Sequence, residues 1–461
     1  MSKKPNIVVL GMCDTKGVEI KFIADQVAHY GGNPIVMNMS LGKDVDWADV
    51  SLDEVLASNG TDKKEVFAAP RSSAIEMVGN AGAVKIMQLY AEGKCDGAIS
   101  WAGSIGTTTV CYALRALPFG VPKMMMTDMA SADVSMWIGN KDIYIMNPTA
   151  EMGINIVTRK MVANAAAAIV AAAQVGDEPM KGARPLIALT AYGTTTPPVN
   201  RIAKDMNDHR GWDSITIHQV GAAGATMEDL IRSGHITAVI DLTTGELTNT
   251  MYNSPYGMPK TWNGERLTAA SDVGIPQIVC PGGLDQSACG AIDSLPQEYL
   301  NDFKTGKRRG FHGTDKPYIH NAGVTIMVPT LDEIEELCHY MAERLNKTNG
   351  PTCFILPMQG WSAYDQREEI ATRARGWSEG NGHGPVWEPD EQEPRWSRRA
   401  TLMRPLMHKL LRKDYDNLDY IVCDMHIIDV EFSDFCYKVM GDMLNGKWKK
   451  GMYRDIPGVL E

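Results

Sequence analysis

The chain has 461 residues, of which 44% are hydrophobic and 22% are charged, a composition typical of globular proteins. This length is typical of two or three domains. Asp and Glu (56) outnumber Lys and Arg (45), so the formal net charge is −11. Because nucleic acids and anionic membranes are bound through concentrated basic surface, we expect neither as a partner.

The sequence also carries signals of compartment. No apolar run reaches the roughly 18–20 residues that span a bilayer, and the longest, 163–173, is alanine-rich. The first residues lack a signal-peptide core. The nine cysteines are scattered singly without a C-x-x-C pair, which favours a reducing environment over a disulfide scaffold. We therefore predict a cytoplasmic protein.

Short apolar segments alternate with helical patterns over the first 175 residues, starting with the β-branched run NIVVL. Strands are predicted at 6–10, 35–39, 97–100, 123–127 and 142–146, and helices at 18–30, 76–93, 105–117 and about 150–174. Nearly continuous apolar strands separated by helices indicate a parallel sheet covered on both faces. Residues 1–175 are therefore predicted to form an N-terminal α/β domain.

A polar stretch at 176–184, rich in Gly, Pro and charge, is predicted to be a linker. The alternation then restarts, with strands predicted at 186–190, 214–218, 238–242, 277–280, 324–328, 353–356 and 420–424. The predicted fold is thus two Rossmann-like, doubly wound α/β domains with mainly parallel sheets, the second spanning 185–461. A long irregular insertion near 367–399, with three tryptophans, is interpreted either as a contact with a second subunit or as a substrate lid.

Ligands of parallel α/β sheets bind beyond the carboxyl ends of the strands, so the residues after each strand are the first candidates. In the first domain these turns are rich in Gly, Ser and Thr. Glycine lets backbone N–H groups approach an anion closely, and hydroxyls and helix N-termini add further attraction, so these turns suit a phosphate or carboxylate. Lys16 would neutralise phosphate charge, and Asp133 would act through Mg²⁺ or a ribose. The predicted anion-binding residues are Gly11, Asp14, Thr15, Lys16, Gly17, Gly103, Ser104, Gly106, Thr107, Ser131 and Asp133. No Walker A motif occurs and no G-x-G-x-x-G follows a strand, which argues against an ordinary dinucleotide fold.

The second domain repeats this theme after its own strands. The candidate substrate-binding residues are Thr194, Thr195, Glu246 and Gly283. Asp241, His320 and His426 are candidates for acid, base or metal-ligand roles, because a carboxylate beside an imidazole in a shielded cleft suits either task. The alternative interpretation is that such residues cap or orient local structure.

Several ordered segments resemble the tomato mosaic virus resistance protein-like ATP-binding family, long catalogued as an uncharacterised protein family. They are GMCDTKG at 11–17, GSIGT at 103–107, LPFGVPK at 117–123, MASADV at 129–134, DLTTGEL at 241–247 and IPQIV at 275–279. The resemblance implies two α/β domains, binding of ATP or a related nucleotide, and self-association into a homo-oligomer. It implies no particular reaction.

Three functions are compatible with these patterns. The leading hypothesis is a protein that binds a nucleotide, with Mg²⁺ as a possible companion, or another small anion at the strand ends and the interdomain cleft. The first alternative is a small-molecule catabolic enzyme, a hydrolase or C–C lyase acting on a carbonyl or carboxylate substrate and assisted by a metal. The second alternative is a non-enzymatic, ligand-responsive regulatory protein. The sequence leaves the choice between catalysis and binding open.

Overall fold

The computed structural model describes residues 4–176, 181–367 and 383–461. The chain divides into two units, Met1–Gly182 (unit 1) and Ala183–Glu461 (unit 2). Each unit is built on a central parallel sheet with helices on both of its faces. The predicted two-domain α/β fold is therefore confirmed, although residues 177–180 of the predicted linker lie outside the described part of the chain.

Unit 1 has a five-stranded sheet whose paired neighbours are all parallel. The strands are β1 (Asn6–Gly11), β2 (Asn33–Asn38), β3 (Gly97–Trp101), β4 (Lys123–Met126) and β5 (Tyr144–Met146). The helices are α1 (Gly17–His29), α2 (Leu52–Ala57), α3 (Lys63–Ala68), α4 (Arg71–Ala91), α5 (Ser104–Ala116), α6 (Ser135–Ile138) and α7 (Ile156–Val175). The strand order β2-β1-β3-β4-β5 puts the topological switch point, where ligands of this architecture bind, between β1 and β3.

Strand β1 shows why the apolar runs of unit 1 are continuous. Ile7 and Val9 are fully buried in the hydrophobic cluster on one face of the sheet. Val8 and Leu10 are fully buried in the cluster on the opposite face. Because successive side chains of a strand point to opposite faces, burial on both faces requires an apolar residue at every position.

Helix α7 has the length and composition of a membrane-spanning helix, with 20 residues over Ile156–Val175. One of its faces, however, packs against the sheet: Val162, Ala165 and Ile169 are buried in the same cluster as Ile7 and Val9. A helix that covers one face of a sheet makes such contacts. Length and composition alone are weak indicators of a membrane span.

Unit 2 has a six-stranded parallel sheet and a separate three-stranded sheet. The parallel sheet has the order β14-β13-β9-β8-β6-β7, formed by β6 (Leu186–Ala191), β7 (Asp213–His218), β8 (Ala238–Thr243), β9 (Gln277–Gly282), β13 (Thr352–Pro357) and β14 (Leu418–Cys423). The small sheet contains β10 (Ser287–Cys289), β11 (Tyr318–Asn321) and β12 (Val324–Met327). The helices are α8 (Thr196–Arg210), α9 (Ala223–Arg232), α10 (Glu246–Met251), α11 (Ala269–Val273), α12 (Gln297–Lys304), α13 (Leu331–Leu345), α14 (Arg398–Leu410) and α15 (Val430–Leu444).

The strand predicted at 324–328 forms, but it does not join the parallel sheet. As β12 it pairs antiparallel with both β10 and β11. Asn321 pairs with Val324, so only two residues connect β11 to β12. A two-residue connection can join antiparallel strands only, because a parallel crossover needs a dozen or more residues.

The described part of the insertion packs onto unit 2 itself. Val386 shares a small buried cluster with Phe311 and Tyr364. The indole Nε1 of Trp396 donates a hydrogen bond of 2.8 Å to Asp424 Oδ1. Residues 368–382, including Trp377, lie outside the described residues, so the interpretations as a subunit contact or a lid remain predictions.

Candidate functional site

A cavity of about 720 Å³ lies in unit 1 at the carboxyl ends of β1 and β3. This is the switch point of the sheet, where loops from neighbouring strands separate and leave a crevice. The loops that follow β1 and β3, both of which hold predicted anion-binding residues, meet there. Six predicted anion-binding residues line the cavity: Asp14, Thr15, Lys16, Gly103, Ser104 and Gly106.

Lys16 brings a cation to this cavity. It occupies the N-cap position of α1, and only 5% of its surface is exposed. Its Nζ donates a hydrogen bond to the backbone carbonyl of Glu151 and lies 3.8 Å from that residue's Oε1. The Glu151 side chain is 57% exposed, so its carboxylate is a weak, water-screened partner.

The amino end of α5 supplies backbone donors at the same cavity. Gly103 is its N-cap, no side chain caps the helix, and the first turn holds no acidic residue. A helix N-terminus in this state offers unpaired N–H groups and a partial positive charge. A Cβ on Gly106 would lie 2.6 Å from the Cβ of Ala102 and 2.8 Å from the Cγ of Met12. Glycine is therefore needed where α5 approaches the loops after β1 and β3.

Asp14 and Glu151 are the acidic members of the cavity lining, and Asp14 is held by backbone groups. Its Oδ2 accepts backbone N–H bonds from Gly42 (3.2 Å) and Lys43 (3.3 Å). Its Oδ1 is buried and has no hydrogen-bond partner in the part of the chain that the structure describes. A buried carboxylate oxygen without a donor is costly unless something else binds it.

The sequence prediction missed part of the lining of this cavity. Arg71, the first residue of α4, lines it, as do the apolar side chains of Leu41, Phe67 and Met152. Phe67 is 42% exposed. Leu41 closely follows β2, whereas Phe67 and Arg71 come after a longer connection and Met152 follows β5. Because β2 neighbours β1, its carboxyl end opens at the same edge.

The remaining predicted residues of unit 1 have other environments and do not line the cavity. They are Gly11, Gly17, Thr107, Ser131 and Asp133. A Cβ on Gly11 would lie 2.4 Å from the Cγ1 of Ile20, so this glycine lets α1 pack on β1. Thr107 is buried and donates to the carbonyl of Ala102. Asp133 accepts the backbone N–H of Ser135 at 2.9 Å, a bond that lowers the pKa of its carboxyl.

Unit 2 has a second cavity, of about 370 Å³, near the carboxyl ends of β6, β7 and β9. Two predicted residues, Thr194 and His320, line it. Gln286 also lines it and donates from Nε2 to Thr194 Oγ1 at 2.7 Å. Of the other predicted residues of unit 2, Thr195 is buried beside β8, where its Oγ1 lies 2.7 Å from Thr243 Oγ1. Gly283 has a φ of +74°, a left-handed conformation that favours glycine.

Asp241 and Glu246 are engaged in a buried ion network around Arg266. The guanidinium, 1% exposed, contacts Asp241 Oδ2 at 2.8 Å, Glu228 Oε1 at 2.7 Å and Glu246 Oε1. Asp241 also accepts a hydrogen bond from Thr190 Oγ1 at 2.9 Å. Burial, reinforced by the charge of Asp241, raises the pKa of Glu246 to about 7. This network links buried side chains at the carboxyl ends of the strands. Asp241 and Glu246 are not part of the cavity lining.

His426 is likewise a satisfied interior residue, 6% exposed. The backbone N–H of Ile428 donates to its Nδ1 at 3.2 Å, so Nε2 carries the proton and donates to the carbonyl of Asp365 at 2.9 Å. Burial lowers the pKa of this imidazole. These bonds define a neutral histidine that joins two loops.

Among residues 4–176, 181–367 and 383–461, no group of three or more His, Cys, Asp or Glu side chains is arranged to hold a metal ion. The nine cysteines are all free and buried. They behave as small apolar side chains of the core. A metal held entirely by such side chains is therefore not a feature of the described residues, and the Mg²⁺ prediction concerns an ion shared with a ligand.

Comparison with known proteins gives two family matches that cover most of the chain. Residues 5–178 match the N-terminal domain, and residues 184–378 the C-terminal domain, of the uncharacterised protein family UPF0261. A UPF0261 protein of Clostridium tetani is 36% identical over 373 residues, which is 80% of this chain and 87% of the relative. One from Rhizobium meliloti is 31% identical and covers 78% and 85%. The ToMV resistance protein Tm-1(GCR237) of Solanum lycopersicum is 28% identical over 79% of this chain but only 49% of its own length.

Proposed function

Given that the chain belongs to the UPF0261 family, we propose that unit 1 binds a nucleotide or a closely related phosphate-bearing anion in the cavity at its switch point. One observation carries the proposal. The nearly buried Lys16 and the uncapped N-terminus of α5 open onto the same cavity from two neighbouring strands. A cation together with convergent backbone N–H groups is the usual protein solution for binding phosphate.

The rest of the cavity lining combines positive charge with apolar surface. Arg71 adds a second cation to the lining, whereas Leu41, Phe67 and Met152 provide an apolar wall. About 720 Å³ is within the range of small-molecule sites that bury most of their ligand. A nucleotide has matching parts, because its phosphates need cations and its base packs on apolar or aromatic surface.

In unit 1 Asp14, rather than the Asp133 of the sequence prediction, would be the ligand of a Mg²⁺ ion. Its Oδ1 is a buried oxygen without a hydrogen-bond partner among the described residues, and Asp14 lines the cavity that would hold the phosphates. Magnesium in nucleotide sites is bound by one or two carboxylates together with phosphate oxygens and water. In this proposal Asp14 holds the ion when the phosphates arrive, and the ion offsets part of their charge.

The catabolic-enzyme alternative has less support. Of its predicted catalytic residues, His320 lines the cavity described in unit 2, whereas Asp241 pairs with Arg266 and His426 bonds to backbone groups. The binding hypothesis keeps six of its predicted residues together at one cavity. Whether the ligand is turned over, and whether the protein works as a homo-oligomer in the cytoplasm, remain predictions from the sequence.

Isothermal titration calorimetry of the purified chain with ATP·Mg²⁺, ADP, adenosine and pyrophosphate tests the proposal. Replacing Lys16 by Met removes a charge-assisted hydrogen bond worth about 1.5–3 kcal/mol, so binding of ATP and pyrophosphate should weaken by about 10- to 150-fold. Arg71→Met should weaken them as well. Adenosine, which lacks phosphate, should be affected little.

Lys160→Met is the matched control, since Lys160 is an exposed lysine on α7 that does not line the cavity. Circular dichroism checks that each variant folds. The proposal fails if no phosphate compound binds at millimolar concentration, or if the Lys16 variant binds pyrophosphate as tightly as the Lys160 variant does.

A further inference from the structure

The cavity of unit 2 that is lined by Thr194 and His320 differs chemically from the cavity of unit 1. Its described lining holds three tyrosines, two histidines and several aliphatic side chains, but no Lys, Arg, Asp or Glu. Burial lowers the pKa of His218, one of the two histidines. Because a charged group is costly in apolar surroundings without an opposite charge, this lining disfavours phosphates and carboxylates.

The aromatic walls are held in place by their own contacts. The hydroxyl of Tyr256 donates to the carbonyl of Gly323 at 3.2 Å, and that of Tyr192 accepts from Asn249 Nδ2 at 3.1 Å. The ring of Tyr364 packs edge-on against Phe311 with ring centroids 5.1 Å apart. Aromatic surfaces that are fixed before binding are suited to a flat ring, since little side-chain entropy is then lost.

The polar floor of the cavity consists of Thr194 and Gln286, 4% and 6% exposed. Gln286 Nε2 donates to Thr194 Oγ1 at 2.7 Å, so the threonine hydroxyl keeps its proton for another acceptor. The amide Oε1 of Gln286 accepts no hydrogen bond from the described residues. The floor thus offers one donor and one acceptor on adjacent side chains, both uncharged.

From these contacts we propose that unit 2 has its own ligand site, specific for an uncharged planar ring that carries an amide or lactam edge. The ring lies between the tyrosines, its carbonyl accepts from the Thr194 hydroxyl, and its N–H donates to Gln286 Oε1. The site is independent of the anion cavity, because its walls and its floor belong to unit 2 alone. The full chain would then bind two ligands of different chemical class.

Saturation-transfer NMR titration of the full chain with benzamide tests this proposal, with benzoate as the charged analogue. Benzamide is a small ligand, and at the binding energy per atom usual for drug-sized ligands its Kd should be about 10 mM or tighter. Benzoate should bind at least about tenfold more weakly, because nothing in the described lining offsets its charge. The Gln286→Leu variant should also weaken benzamide by about tenfold, since it removes the acceptor at nearly constant size.

The Val324→Phe variant fills the cavity without removing a polar group, because Val324 is a partly buried aliphatic residue of its lining. It should abolish benzamide binding, whereas Val273→Phe, at a 50% exposed valine of α11 in the same unit, should not. Pyrophosphate binding to unit 1 should be unchanged in all of these variants. Absence of benzamide binding, equal binding of benzoate, or binding that survives Val324→Phe would each overturn the proposal.

Discussion

Glu151 is the residue whose removal should improve ligand binding in unit 1. Its Oε1 lies 3.8 Å from Lys16 Nζ. A Cβ built on Gly103 would lie 2.9 Å from the same oxygen. The carboxylate therefore stands at the N-terminus of α5, where the proposed phosphate would be held. An incoming anion has to displace it or tolerate its charge, and Glu151→Gln removes that charge while keeping the size of the side chain.

The expected gain follows from distance and exposure. Two unit charges about 4 Å apart interact by about 1 kcal/mol in water and by more in a shielded site. Because the Glu151 side chain is 57% exposed, the value for water is the appropriate one. About 1 kcal/mol of removed repulsion corresponds to an approximately fivefold lower Kd for pyrophosphate or ATP. Since salt screens exposed charges, the gain should shrink when the ionic strength rises from about 0.1 M to 1 M.

Calorimetric titration with pyrophosphate at low and high salt measures this effect. Glu92→Gln is the matched control, because Glu92 is 52% exposed and also pairs with a lysine, Lys94, at 2.8 Å, but does not line the cavity. Both substitutions change the net charge equally, so a general charge effect would appear in both. Unchanged or weaker binding in the Glu151 variant, or an equal gain in the Glu92 variant, would refute the reasoning.

Two further predictions concern the buried ions of unit 2. Arg266→Met should lower the free energy of unfolding, measured by urea titration, by about 3–5 kcal/mol, because it removes the cation from the buried Asp241 and leaves Glu228 with the more distant Arg232 at 3.9 Å. A loss below about 1 kcal/mol would contradict the network. Burial raises the pKa of Glu246 and of Asp365 to about 7, so the folded state holds protons that the unfolded state releases, and stability should fall as pH rises from about 4.5 to 7. Glu246→Gln should remove up to about 1.4 kcal/mol per pH unit of this decline, and a slope equal to that of the wild type would exclude a titrating Glu246.

The sequence was sufficient for the two parallel sheets because the burial of their strands is two-sided, but it did not predict β10 and β11 of the small sheet. Each residue of 7–10 is fully buried, and such a run can be recognised without knowledge of its neighbours. The meeting of the loops after β1 and β3 could also be predicted, since the carboxyl ends of parallel strands share an edge. The position of Arg71 in the cavity could not be predicted, because it depends on β2 lying beside β1. The order of strands in a sheet cannot be deduced from local composition.

The acidic residues of unit 2 show a different limit. Asp241 and Glu246 stand at a strand end with the residue types expected of a catalytic site, yet their partner Arg266 lies 20 or more positions along the chain. Sequence spacing does not show which cation neutralises which carboxylate. His426 is similar, because its two partners are backbone groups that no side-chain pattern reveals.

The two units nevertheless follow one rule that explains why their cavities differ. Both cavities open at the carboxyl ends of a parallel sheet, so the fold fixes their position. In unit 1 the cations Lys16 and Arg71 line the cavity itself. In unit 2 the buried Arg266 pairs with three carboxylates. The polar groups that line the cavity of unit 2 are instead the uncharged side chains of Thr194 and Gln286. Because cations in the lining stabilise an anion, this difference is the basis for proposing an anion site in unit 1 and a neutral-ligand site in unit 2.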